Sequence, residues 1–511
     1  MVRAHALSIV VGVCFVAVFA APVHVTTCGT QTSHYALVRS LADGTARIDR
    51  YEGITCDKSL FEDHYYSVKA PGLAAASLPM YLLLDGTGLL PDDMRWAIWL
   101  LSLTTLVPAA LLLVYLVGRT AEAMTPGWGR LAAIALGVGT MVLPFGSLWF
   151  GHVPAVTLAF AAFVVLRGSV GRLSSSRALA AGLLAGSSVL FEYPLGLVAA
   201  ALLVYVAVGH RLRGALGFLA GAALPAACLL LYNRWAFGSI LHFSYRYALP
   251  LHTDSSGKVI GENDVGFFGI GWPNAYALGQ ILFSPRGLVT LTPICVLGAV
   301  GIVMLSRRAR GEATLLGAIT VMFLAYNAGY TLNAAGPLGG DTPGPRFLIA
   351  MLPFLLVPLG LAARAAPAAT AALLAVSVSA MALVTATTPM LSGGGEGRWI
   401  RELRSGTFVS TVVTPLGGSG WVTILPFAVA VFTLLAVGLY DLRHALVRPI
   451  HGAFSAVTAV VAWLFVLEAS HLRYRDHDRT IALIALGLAG LMGAATLLAA
   501  REARPDADAT G

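Results

Sequence analysis

Residues 95–118 read RWAIWLLSLTTLVPAALLLVYLVG, and after Arg95 neither Asp, Glu, Lys, Arg nor His interrupts the run. An apolar segment of about 17–25 residues is long enough to cross the hydrocarbon core of a bilayer as a helix. Working outward, comparable runs fall near 5–23, 131–149, 152–167, 178–191, 194–209, 214–232, 287–305, 313–331, 346–363, 367–387, 421–440, 453–470 and 480–500. The whole chain is 57% hydrophobic and 11% charged, against about 25% charged in a soluble domain. So few charges cannot coat a water-exposed surface for 511 residues, and lipid as the main solvent resolves the conflict. The expected fold is an all-α polytopic membrane protein with about fourteen spans, eleven at the least.

The loops between these runs alternate in character. Those at 119–130, 167–177, 211–213, 307–310 and 443–448, with Arg364, are short and basic, whereas 24–94, 233–286, 332–345 and 388–420 are long. Short basic loops mark the cytoplasmic side, which puts the long ones outside. The stretch 471–479 is basic yet falls on the outer side, with Asp476 and Asp478 diluting it. The net charge of +8 is spread over helix ends and forms no stripe that would track nucleic acid. Arg3, the apolar core behind it and Ala20-Ala21 also fit a signal peptide, but the run is long enough to anchor, and a retained first helix is favoured. The segment 73–84 is apolar but too short to span and reads as an interfacial or re-entrant helix. The tail 501–511 is polar and expected to be disordered.

Cys14, Cys228 and Cys295 lie in apolar runs and read as packing residues. Cys28 and Cys56 flank the first polar loop. On the outer side a disulfide between them is chemically permitted, and two free thiols are the alternative.

The polar chemistry collects on the outer face. The first loop holds Asp43, Asp49, Asp57, Lys58, Glu62, Asp63, His64, Tyr65, Tyr66 and Lys69, and Lys69 is one of only three lysines in the chain. A lysine at the membrane surface offers three donors to a phosphate headgroup, or it snorkels to lipid. His152, Glu192 (followed by Tyr193), Arg286 and Arg346 stand at the outer ends of apolar runs, where ionisable groups are costly. Each alone reads as a helix-end anchor or an interhelical salt bridge, and together they point to a shared polar cavity. Such a cavity has the parts for sugar transfer from a lipid-linked phosphate. Asp57 or Asp49 would be the general base, and Lys69, Arg346 and Arg286 would hold the phosphate. His152 and Glu192 would order the site or bind sugar hydroxyls, aromatic side chains can pack on the sugar or the lipid, and His64, Tyr65, Tyr66 and Tyr193 count among the substrate-binding candidates. No Asp-x-Asp pair in a fitting context marks a metal site, and a divalent ion, Mg²⁺ or Mn²⁺, remains compatible.

The segment Thr55-Cys-Asp-Lys-Ser-Leu-Phe-Glu-Asp-His-Tyr-Tyr-Ser-Val-Lys-Ala-Pro-Gly72 resembles the first-loop signature of bacterial membrane glycosyltransferases of the GT-C superfamily, relatives of the family-39 protein mannosyltransferases and the lipid A aminoarabinose transferase. Further matches are Phe150-Gly-His-Val-Pro154, Phe191-Glu-Tyr-Pro194, Tyr232-Asn-Arg-Trp-Ala-Phe-Gly238, Phe283-Ser-Pro-Arg-Gly287 and Gly344-Pro-Arg-Phe347, in the expected order across about residues 1–365. The resemblance implies a polyprenyl-phosphate-linked sugar donor, a cell-envelope acceptor, a catalytic first-loop carboxylate and Lys69 at the donor phosphate. It also implies a GT-C module over 1–388, with residues 389–500 as a loop and C-terminal helices. Many relatives carry an acid directly after the first helix, where this chain has Gln31-Thr-Ser-His34, so the carboxylate shifts to Asp57 or Asp49, with Asp57 preferred for its place in the Lys69 motif. The protein would sit in the bacterial inner membrane with its site facing the periplasm or exterior. Flippases or transporters would place charges through the midplane and use paired repeats with broken helices; the sequence shows no such repeat, and its charges cluster at one face. A non-catalytic envelope-assembly protein is the third class.

Overall fold

The computed structural model describes residues 2–26, 28–167, 173–253, 259–265, 268–332, 335–391, 397–443 and 449–471. The expected span 480–500, the tail 501–511 and all but the first residue of the loop 471–479 lie outside the described residues. What is described is a helical bundle whose three sheets are all two-stranded. Four helices are long and apolar enough to cross a membrane: Met94–Met124, Leu212–Phe237, Pro367–Ala386 and Trp421–Leu442. Two bent pairs raise that number to six. The other apolar helices, among them His152–Arg167 and Ser175–Phe191, are shorter, so length and composition alone do not reach the expected fourteen.

The first helix, Val2–Ala20, is packed into the bundle. Phe15, Val18 and Phe19 are buried, and the Trp99 indole donates to the Ala20 carbonyl at 2.8 Å. Cys295 is buried and Cys14 half-buried, whereas Cys228 points outward, so the packing expected of it is not made inside the protein.

Gly196–Phe237 is helical throughout, yet it covers two expected spans. Leu197 and Leu229 line the same cavity; in a straight helix they would stand about 48 Å apart. The chain therefore doubles back between the apolar segments Tyr193–Gly209 and Leu212–Phe237. Small residues close the returning half onto Ser175–Phe191, where a Cβ on Gly182 or Gly221 would strike the facing backbone. This is how helices approach closely in lipid, which gives no hydrophobic push between them.

Two half-buried ion pairs tie distant helices at one end of the bundle. Arg130 pairs with Asp441, and Arg167 pairs with Glu312 at 3.1 Å. At the opposite end the long loops fold together. Pro22 and Val23 pair with Thr411 and Ser410; Leu391 N–H reaches the Asp341 carbonyl. The segment expected to be an interfacial or re-entrant helix is the helix Gly72–Gly86, packed beside Thr30–Ala42.

Candidate functional site

The first loop builds the site through one hairpin. Strands Lys58–Phe61 and His64–Ser67 pair antiparallel, Lys58 opposite Ser67 and Phe61 opposite His64. Glu62 and Asp63 turn the chain at φ 49 and 62, the left-handed conformation a two-residue hairpin turn requires. The register carries Asp57 and Lys69 out of the open end as diagonal neighbours. Their side chains meet, Lys69 Nζ lying 2.6 Å from Asp57 Oδ2.

The helix Thr30–Ala42 fixes this pair from behind. Thr30 Oγ1 donates to Asp57 Oδ2 at 3.3 Å. Ser33 Oγ donates to the Asp57 carbonyl at 2.5 Å and lies 2.8 Å from Ser67 Oγ. Cys28 and Cys56 are joined in a disulfide, so a covalent link stands immediately before Asp57. Burial pushes the Asp57 carboxyl up, but the charge and hydrogen bond of Lys69, with Arg346 and Thr30 in support, hold it below the usual carboxylate range. His34, fully buried on the same helix, is pushed down to about 3 by burial and by Lys69, against a smaller upward pull from Asp57, and is therefore neutral. Its ring meets Trp149 edge-on at 6.0 Å.

Lys69 and Thr30 line a cavity of about 710 Å³. Its polar end is completed by His152, Glu192, Tyr193 and Arg346; its length is apolar, with Leu197, Leu229, Phe243, Phe268 and Met322 among the walls. His152 Nδ1 lies 3.3 Å from Glu192 Oε1. Glu192 stands in the non-helical link between Ser175–Phe191 and Tyr193–Leu195. Burial raises its carboxyl to about 7, although Lys69 and Arg346 pull the other way. Arg346 lies over the Phe347 ring at 5.2 Å, and its Nε is buried without a hydrogen-bond partner among the described residues. A guanidinium so placed holds donor capacity for an anion.

Of the residues singled out in the sequence, Lys69, His152, Glu192, Tyr193 and Arg346 converge on this cavity, with Asp57 held directly against Lys69. The others stand elsewhere. Both Asp49 oxygens are engaged at the far end of the hairpin, by Tyr65 N–H at 2.6 Å and by His64 at 2.8 Å. Tyr66 packs on Phe237 at 4.7 Å. Arg286 braces the loop that precedes Arg346, donating to the carbonyls of Gly340 and Thr342. Thr30, Ser33 and His34 were not singled out as site residues; their one signal was their place directly after the first helix. Tyr245 and Tyr326, which also line the cavity, carry no motif. Among the described residues no three His, Cys, Asp or Glu side chains converge as a metal site. Lys69 and Arg346 bring positive charge to the cavity lining.

The chain resembles solved structures of ArnT. In the apo crystal structure of ArnT from Cupriavidus metallidurans the identity is 13%, the TM-score 0.47, and the match covers 98% of this chain and 78% of that one. For the same protein bound to undecaprenyl phosphate the values are 13%, 0.43, 97% and 76%. At that level of superposition the likeness assigns no reaction. No protein-family model and no curated protein matches the sequence.

Proposed function

We propose that this protein is an extracytoplasmic glycosyltransferase that moves a sugar from a polyprenyl-phosphate donor to a cell-envelope acceptor. The observation that carries the reading is the cavity itself, with a lysine and an arginine at one end beside a paired carboxylate and an apolar length behind them. That division matches a lipid phosphate, whose head needs cations and whose chain needs apolar walls. A disulfide in the loop that carries Asp57 fits an oxidising compartment.

In the proposed reaction Asp57 accepts the acceptor's hydroxyl proton as the new bond to the anomeric carbon forms. The bond from that carbon to the phosphate oxygen breaks, and its electron pair leaves with the phosphate. Lys69 and Arg346 stabilise the charge that develops there. Before donor binds, Lys69 keeps Asp57 ionised; with three N–H donors it can hold the carboxylate and the phosphate together. Asp49, with both oxygens occupied away from the cavity, is the poorer base.

The test uses the full chain reconstituted in lipid with a polyprenyl-phosphate sugar. Asp57→Asn is expected to keep donor binding and to cut transfer by about a hundredfold or more, the usual worth of a general base. Lys69→Ala is expected to weaken donor binding. Transfer that survives both substitutions would remove the site assignment, and a wild-type protein that binds no such donor would remove the enzyme reading.

A further inference from the structure

The residues around Asp57 form a short zipper between two segments far apart in sequence. On one side stand Cys28, Gly29, Thr30 and Ser33; on the other stand Thr55, Cys56 and Asp57. Thr55 Oγ1 donates to the Gly29 carbonyl at 3.3 Å and in turn accepts from Asp57 N–H at 3.1 Å. Thr30 and Ser33 hold the Asp57 side chain and carbonyl. The Cys28/Cys56 disulfide, with Cα atoms 5.3 Å apart, is the covalent member of this zipper. Its other bonds are single neutral-donor hydrogen bonds, each contributing about 1 kcal/mol. Such bonds open and close singly, whereas the disulfide fixes the backbone immediately before Asp57, and about 1 Å of misplacement can cost a hundredfold in rate.

We infer that Cys28 and Cys56 are positioning residues for the reaction: their disulfide sets the Asp57 carboxylate against Lys69, so the site is assembled only in the oxidised protein. This rests on the reading of Asp57 as the base. Lys69 follows the hairpin and joins the helix Gly72–Gly86, which lies outside the disulfide-closed segment, packs beside Thr30–Ala42 and meets the Leu190 backbone of Ser175–Phe191 at its start. Two-electron reduction to a pair of thiols therefore frees Asp57 while leaving the phosphate-holding end in place.

The experiment reduces the folded protein in lipid nanodiscs with a phosphine, in parallel with the variant Cys28→Ser/Cys56→Ser. Turnover is expected to fall about tenfold or more while KM for the donor stays within about twofold, a split that general loosening of the fold would not produce. Reoxidation should restore the wild type and leave the variant unchanged. A second readout needs no substrate. Lys69, sheltered by Asp57, should be slow toward an amine-reactive label when oxidised and fast when reduced. Lys58, held by Glu52 within the hairpin region, should keep its rate and serve as the internal control. Unchanged turnover with unchanged Lys69 labelling after verified reduction overturns the inference. So does a parallel rise in labelling at Lys69 and Lys58, which would show that the loop as a whole comes apart. If the oxidised wild type transfers no sugar, the functional reading fails, yet the labelling still decides whether the disulfide positions the pair.

Discussion

Glu192 is the acid in the cavity wall whose charge is decided by its surroundings. Its carboxyl, raised to about 7 by burial, is protonated in mildly acidic conditions and ionised in mildly basic ones. An ionised Glu192 would face the same space as the donor phosphate, and like charges there repel. Donor affinity is therefore expected to weaken severalfold between about pH 6 and about pH 8. Glu192→Gln fixes the neutral form and should give a flat profile, which titration of a lipid-phosphate analogue by intrinsic fluorescence would show. An identical slope in the variant would assign the pH dependence to another group. The stability sign follows from the same shift. Between the ordinary carboxyl value of about 4.3 and about 7 the folded state keeps a proton that the unfolded state has lost, so stability declines as pH rises through that window. At this scale the costly residues were legible: Lys69, His152, Glu192 and Arg346 stand out because charge beside lipid demands an explanation. Thr30 and Ser33 did not, because short hydroxyl side chains are common in any loop, and only the fold that sets them opposite Asp57 gives them a task.

Among the elements, the hairpin and the helix behind it set Asp57, while the helix Gly72–Gly86 sets Lys69 relative to Glu192. Gly72 sits so close to the end of Ser175–Phe191 that an added Cβ would lie 2.5 Å from the Leu190 carbonyl oxygen. That backbone cannot give way without moving Glu192, two residues on. Gly72→Ala is expected to destabilise the protein by about 1–3 kcal/mol through overpacking and to lower transfer further, because Lys69 and Glu192 shift apart. Gly86→Ala, at the other end of the same helix, meets nothing within 4 Å and should stay near wild type in both melting temperature and rate. Equal behaviour of the two variants would show that the contact does not position the site. The sequence pattern showed these helices as apolar runs but not their bends. The pair Ala275–Leu291 and Ile294–Leu305 bends by 92°, and Arg346–Leu356 with Leu359–Ala365 bends by 64°. Pro293 and Pro358 stand at the two breaks, where a proline removes a helix hydrogen bond and crowds the preceding turn. Hydropathy averages over such a break, so the expected spans 287–305 and 346–363 passed straight through it.

Across the whole molecule the two ends differ in kind. One end carries Arg130 with Asp441 and Arg167 with Glu312, and the exposed Arg307 and Arg308 follow the helix Ile294–Leu305 there. The other carries the hairpin, the disulfide and the cavity's polar end. Arginine-rich short loops are retained in the cytoplasm during insertion, so the proposed extracytoplasmic reaction predicts that the site end lies on the opposite face. Single cysteines placed at either end test this in a background where the three free cysteines are replaced by Ala. Arg50→Cys and Leu416→Cys lie at exposed positions of the loops at the site end. Ala123→Cys and Ser306→Cys lie at exposed positions of the basic end. In sealed right-side-out membrane vesicles, a membrane-impermeant maleimide should label the first two at once and the second two only after the vesicles are opened. The reverse pattern would place Asp57 in the reducing cytoplasm, where neither a standing disulfide nor an extracytoplasmic acceptor is available. The side of the membrane, the oxidised state of the first loop and the proposed chemistry are thus linked, and this one labelling pattern bears on all three.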